Sequence, residues 1–231
     1  MTKKILFIGD SITEGKIGVG YVKIIQQYFP EFQCKNYGRG GDTLSGIFRR
    51  LLKILKTNAK NYDIIVIEAG HNDLFLPYVK QKWNFTNIRK VTPLHKIKDF
   101  YDNGLRTVSL HTKAKIILTT LSCLGEDINS PINQKRRLVN SQIKEVGHKH
   151  KAYIADVSPN FDKILKKSIS SYNFVDHPLN LVFDYFRSKR MNWVEKISRK
   201  RRLLLTIDGG HLNSKGAIIY AKVISRILDQ F

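Results

Sequence analysis

Short apolar runs alternate along the chain with longer stretches in which apolar residues recur at helical spacing. The runs at 4–8, 33–37, 63–68, 115–121 and 152–156 are rich in Ile, Val and Leu. They show little polar alternation, the pattern of strands covered on both faces. Helices are expected at 20–29, 43–56, 93–112, 133–148 and 214–228. In the second of these, Leu44, Ile47, Phe48, Leu51, Leu52 and Leu55 fall on one face. Strand–helix alternation of this kind predicts an α/β fold, a parallel sheet with helices on both faces. There is no internal repeat and no low-complexity linker. The 231 residues are therefore expected to form one domain, 1–231.

In an open parallel sheet, ligands bind at the carboxyl ends of the strands. Three polar, glycine-containing turns fall there: Gly9-Asp10-Ser11, residues 38–43 and residues 70–73. A nucleophilic serine needs a base, a group that orients the base, and donors for the oxyanion. Ser11 is the candidate nucleophile and His211 the candidate base. Asp208, three residues before it in D-G-G-H, can hold the imidazole tautomer. Oxyanion donors are available in the backbone N–H of Ser11, the backbone N–H of Gly41 and the side-chain amide of Asn72. Asp10 and Asp73 are expected to anchor loops through side-chain-to-backbone hydrogen bonds; His71 is expected to shape its turn, with lining of the pocket as the less favoured alternative. His95, His111, His148, His150 and His177 show no ligand pattern, so neither a metal site nor a cofactor is expected.

The segments G-D-S at 9–11, N-Y-G-R-G-G-D-T at 36–43, G-H-N-D at 70–73 and D-G-G-H-L-N at 208–213 resemble the four blocks of the SGNH hydrolases, the GDSL-type esterases and lipases. They occur in the family's order, and the resemblance spans residues 4 to about 228. It implies a three-layer, flavodoxin-like α/β/α fold with a central parallel sheet of about five strands. It also implies metal-free hydrolysis of esters or thioesters. In that reading Ser11 is the nucleophile, Asp208 and His211 complete the triad, and Ser11, Gly41 and Asn72 form the oxyanion hole. Ile12 stands where the family name implies leucine. The second block looks more like the bacterial lysophospholipase and thioesterase branch. The serine lies outside a G-x-S-x-G elbow, which disfavours the α/β-hydrolase fold.

Charge changes the picture. Forty Lys and Arg stand against 19 Asp and Glu, a net of +21. Two stretches concentrate the excess: residues 80–115 and a basic insertion at about 161–205. In the insertion, Leu179, Val182, Phe183, Phe186, Trp193, Val194 and Ile197 fall on one face at helical spacing, with Arg187, Lys189 and Lys196 beside them. One expectation is an amphipathic lid that docks on an anionic membrane or admits an acyl chain. The plainer alternative, slightly preferred, is that this face packs on the domain and the basic residues are solvated surface. The aromatic residues Trp83, Phe85, Phe174, Phe183, Phe186 and Trp193 favour a lipid-like acyl group over acetyl.

The expected function is hydrolysis of a small-molecule or lipid ester through an acyl-Ser11 intermediate, the acyl group being lipid-like or acetyl and the bond an ester or a thioester. The alternatives are an acyltransferase on the same site, or a non-catalytic binder of anionic lipid or nucleic acid. No named nucleic-acid module accompanies the R-K-R-R run at 199–202, so nucleic acid is the less expected partner. Two cysteines, Cys34 and Cys123, are too few for a disulfide framework. With no signal-like or membrane-spanning run, a cytoplasmic, at most membrane-peripheral, location is expected.

Overall fold

The computed structural model describes residues 2–58, 62–83, 90–170, 172, 178–188 and 190–231. Five strands form one sheet: β1 (Lys4–Gly9), β2 (Gln33–Gly38), β3 (Ile64–Ile67), β4 (Lys115–Thr119) and β5 (Tyr153–Ala155). All neighbours pair in parallel, in the order β2-β1-β3-β4-β5. The helices between them are α1 (Ser11–Glu14), α2 (Tyr21–Tyr28), α3 (Leu44–Asn58), α4 (His71–Trp83), α5 (Ile97–Ser109), α6 (Pro131–Lys149), α7 (Ser158–Leu165), α8 (Pro178–Arg187), α9 (Met191–Lys200) and α10 (Ser214–Leu228). This is the expected three-layer α/β/α arrangement.

The sheet divides the interior into two cores because successive strand side chains point to opposite faces. Ile5 and Phe7 of β1 join α2, α7, α9 and α10 on one side. Leu6 and Ile8 join α3, α4, α5 and α6 on the other. All four are fully buried, and each such burial contributes about 1.5–3 kcal/mol. This explains the near-continuous apolar run of β1. β2 departs from the expectation of two covered faces. It is an edge strand, and most of its residues are exposed or only partly buried.

The segment after Asp73 continues as helix α4 to Trp83 despite Pro77 within it. The apolar face expected in the insertion is divided. Val194 and Ile197 of α9 enter the core beside α10, whereas Phe183, Phe186 and Trp193 remain exposed. The side chains of Leu179, Val182 and Trp83, and residues Phe85, Phe174 and Lys189, lie outside the described residues. Among the described residues, no helix is long and apolar enough to cross a membrane.

Gly38, the last residue of β2, lies against α1. A Cβ on it would stand 2.1 Å from the Glu14 amide nitrogen and 2.5 Å from the Glu14 Cα. Because the obstacle is backbone, Gly38→Ala is expected to lower unfolding free energy by about 1–3 kcal/mol. Urea denaturation with an unchanged m-value checks this.

Candidate active site

Ser11 is the first residue of α1, and Asp10 is the helix N-cap, its Oδ1 accepting the Ile12 N–H at 2.9 Å. A capped turn therefore fixes the serine directly beyond β1. Its Oγ lies 3.0 Å from His211 Nε2. On the far side of the ring, Nδ1 lies 2.6 Å from Asp208 Oδ2. An ionised carboxylate can only accept, so Nδ1 carries the proton and the unprotonated Nε2 can accept one from serine. The other Asp208 oxygen accepts the amides of Gly210 at 2.9 Å and His211 at 2.8 Å.

The electrostatics suit this pairing. Burial pushes the Asp208 carboxyl upward, but the His211 charge, its hydrogen bond and the two amides outweigh burial and hold it below the ordinary value. Burial pulls His211 down, yet Asp208 more than compensates and leaves the imidazole raised.

Gly41 and Asn72 line the same cavity as Ser11 and His211, with a volume of about 380 Å³. Gly41 adopts φ +68°, in the left-handed region that glycine tolerates without strain. Asn72 donates one Nδ2–H to the Asp42 carbonyl at 2.8 Å, which ties α4 to the Gly41 loop and sets the amide's rotation. Arg50 of α3 braces that loop from behind. It donates to Asp42 Oδ2 at 2.6 Å, the Tyr37 carbonyl at 2.6 Å and the Gly9 carbonyl at 2.9 Å. Asp73 acts as the anchor expected of it, accepting the amides of Leu44 at 2.7 Å and Thr92 at 2.6 Å.

Beneath these loops lies a buried polar cluster built around Glu68, a residue that the motifs did not single out. Glu68, at the end of β3, accepts from the Asp10 amide at 3.1 Å and the Thr13 hydroxyl at 3.0 Å. His71 donates Nδ1–H to Glu68 at 2.8 Å, because its Nε2 accepts the Ser122 amide at 3.1 Å. His71 thus lines the cavity as well as shaping its turn. Burial, helped by the charges of Arg136 and His211 against the pull of Asp10, lowers its pKa to about 4 and keeps it neutral. Burial and the neighbouring Glu68 charge push Asp10 well up, and burial raises Glu68. Asp10, Glu68 and His71 bring possible ligand atoms within 4.8 Å of one another, the one such grouping among the described residues. A cation there would have to displace the hydrogen bond that fixes His71. Gly9 is glycine because a Cβ would meet Thr13 Oγ1 at 2.2 Å and Glu68 Oε2 at 2.6 Å.

The His211 loop has its own anchor. Buried Glu126 accepts the amides of Leu204, Leu205 and Thr206 at 2.6, 2.8 and 2.9 Å, and the Thr206 hydroxyl at 2.8 Å. Thr206 Oγ1 in turn accepts the Gly209 amide at 3.1 Å. The acid lies 82 residues before the aspartate it supports, and no local pattern marks it.

Residues 7–217 match the family model described as GDSL-like Lipase/Acylhydrolase. Among solved structures, an acetyl xylan esterase is 21% identical with a TM-score of 0.68, over 97% of this chain and 99% of that one. A catalytic mutant of an acetylxylan esterase from Geobacillus stearothermophilus is 18% identical with a TM-score of 0.65, over 98% and 94%. A member of the lipolytic G-D-S-L family from Veillonella parvula is 14% identical with a TM-score of 0.65, over the whole of both chains. At these identities the likeness establishes the fold. No curated protein sequence matches the chain.

Removing the Glu126 carboxylate takes the acceptor from the buried amides of Leu205 and Thr206 and from the partly buried amide of Leu204. Glu126→Ala is expected to cost about 2–6 kcal/mol of stability, at about 1–3 kcal/mol for each of the two buried amides. Chemical denaturation measures it. A fall within experimental error would show that the loop is held by other contacts.

Proposed function

This chain belongs to the GDSL-like lipase/acylhydrolase family and is an ester hydrolase of the SGNH type, and from that premise we propose that it works through an acyl-Ser11 intermediate on esters of an apolar acyl group. The observation that carries the mechanism is the continuous relay from Ser11 Oγ through His211 to Asp208, with links of 3.0 and 2.6 Å. His211 Nε2 takes the serine proton as Oγ attacks the ester carbonyl. The developing oxyanion is received by the amides of Ser11 and Gly41 and by the second N–H of Asn72. His211 then protonates the departing alcohol, leaving the acyl group on Ser11. Water enters and attacks the acyl carbonyl while giving a proton to the same nitrogen, which passes it to Ser11 Oγ as the acid is released. Asp208 stays ionised throughout and stabilises the imidazolium.

The cavity supports an apolar acyl group. Ile17, Phe75, Leu76 and Leu124 line it together with Tyr185. Cys123 also lines it, and burial holds its thiol protonated, which makes it a poor rival nucleophile. Of the insertion's aromatic residues, Tyr185 supplies part of this lining. Phe183, Phe186 and Trp193 are exposed and absent from the cavity wall. The acyl preference thus rests on α4, the loops and Tyr185 of α8. The acetyl xylan esterases of the same fold motivate the competing choice, an acetyl ester.

Ser11→Ala is expected to lower kcat on p-nitrophenyl esters by about 10⁴–10⁶-fold. A graded acyl series is expected to peak beyond acetate. A peak at acetate would make the enzyme a deacetylase, and turnover independent of Ser11 would end the serine mechanism.

The pH profile is a separate check. His211 must be neutral to accept the proton, and its pKa is raised above 6.5. The rate is therefore expected to fall as pH drops through a value above 6.5. Asp208→Asn removes the charge that raises it, so the surviving activity is expected to have its acid limb at lower pH.

A further inference from the structure

The surface of the α8–α9 pair is not used by the relay or by the packing of the core. Phe186 is 60% exposed, Phe183 53% and Trp193 39%. These rings are joined by cations. The Arg187 guanidinium lies 5.6 Å from the Phe183 ring centre and 5.9 Å from that of Trp193, and Lys196 Nζ lies 5.0 Å from the Trp193 ring. Phe186 meets Tyr185 edge-to-face at 5.5 Å between centroids, and Tyr185 lines the cavity that holds Ser11. The aromatic surface is thus continuous with the mouth of the site.

Charge on this surface is sorted by sign. The acids turn inward: Asp184 is buried and paired with Arg201 at 2.6 Å, and Glu195 accepts the Ser214 amide at 3.0 Å. Arg187, Arg190, Lys196, Arg199, Lys200 and Arg202 remain exposed. Among the described residues, Asp184 and Glu195 thus help hold α8 and α9 to the body of the protein.

We propose that the α8–α9 face is a docking surface for an anionic phospholipid bilayer. Exposed rings enter the boundary between headgroups and acyl chains, while Arg and Lys beside them reach the phosphates with their charged tips. Each cation near such a surface adds to the attraction. The rings stand outward from a helix pair whose inner residues, Val194 and Ile197, are fixed in the core. Docking therefore needs no unfolding of α9. A bilayer is favoured over single-stranded nucleic acid because Phe183 and Phe186 sit on a helix that leads, through Tyr185, to an apolar cavity. A nucleic-acid track has no use for that continuity. The surface adds a partner to the proposed esterase but does not depend on it, since binding is measured without turnover.

The test is co-sedimentation of the full chain with vesicles of phosphatidylcholine alone and of phosphatidylcholine mixed with phosphatidylserine. Trp193 fluorescence is followed in a Trp83→Phe background. The expected result is sedimentation with the mixed vesicles, a blue shift of Trp193 and weakening by salt. Phe183→Ser with Phe186→Ser, and separately Arg187→Glu with Lys196→Glu, are each expected to lower partitioning about 10-fold or more. Hydrolysis of a soluble short-chain ester is expected to stay within about twofold in both variants, which shows that they are folded. Equal binding to both vesicle types, or unchanged binding by both double variants, would overturn the proposal. So would a single-stranded RNA oligonucleotide that shifts Trp193 while mixed vesicles do not.

Discussion

Parallel pairing is the constraint on which the site depends. The register aligns Gly9 with Gly38 and Ile8 with both Tyr37 and Ile67, while β4 and β5 run the same way. Every connection must then return across the sheet, so every strand delivers its following loop to one edge. Ser11, Gly41, Asn72 and the Ser122 loop meet there because of strand direction. Residues far apart in the chain become neighbours with no contact of their own being required first.

Alignment alone would leave these loops loose, and buried polar groups hold them. Arg50 ties the ends of β1 and β2 to Asp42. Asp73 ties the start of α3 to residue 92. Glu68 joins the turns after β1 and β3. Asn140 and Asn133 of α6 hold the loop after β4 through Leu121 and Leu124. Buried donors and acceptors of this kind are costly to leave unpaired, so each bond limits the loop to a narrow range of positions. A serine–histidine link of 3.0 Å is the product of that restriction.

The basic surplus has a structural logic as well. Where a cation is needed inside, it is matched: Arg136, fully buried, reaches Asp162 at 2.6 Å, and Arg201 reaches Asp184. With only 19 acids in the chain, such pairing leaves most Lys and Arg to the surface. There they shape which partners approach and leave the fold itself largely unaffected.

The amino-acid sequence by itself determined the alternation of strand and helix, the three-layer architecture and the motif residues. Those follow from local signals: apolar runs, helical spacing and short polar turns at strand ends. It could not show that β2 is an edge, because Gln33–Gly38 earns its place from its neighbour β1 and not from its own burial. Nor could it show Glu68, Arg50 or Glu126, since an acid in an apolar run or an arginine on a helix reads the same whether solvated or buried. Their partners lie up to 80 positions away. The helical spacing around Phe183 and Val194 was legible, but not which residues of that face would be covered. Only tertiary packing decided that Val194 and Ile197 enter the core while Phe183, Phe186 and Trp193 face outward. Periodicity assigns residues to a face of a helix, and what covers that face depends on the rest of the chain.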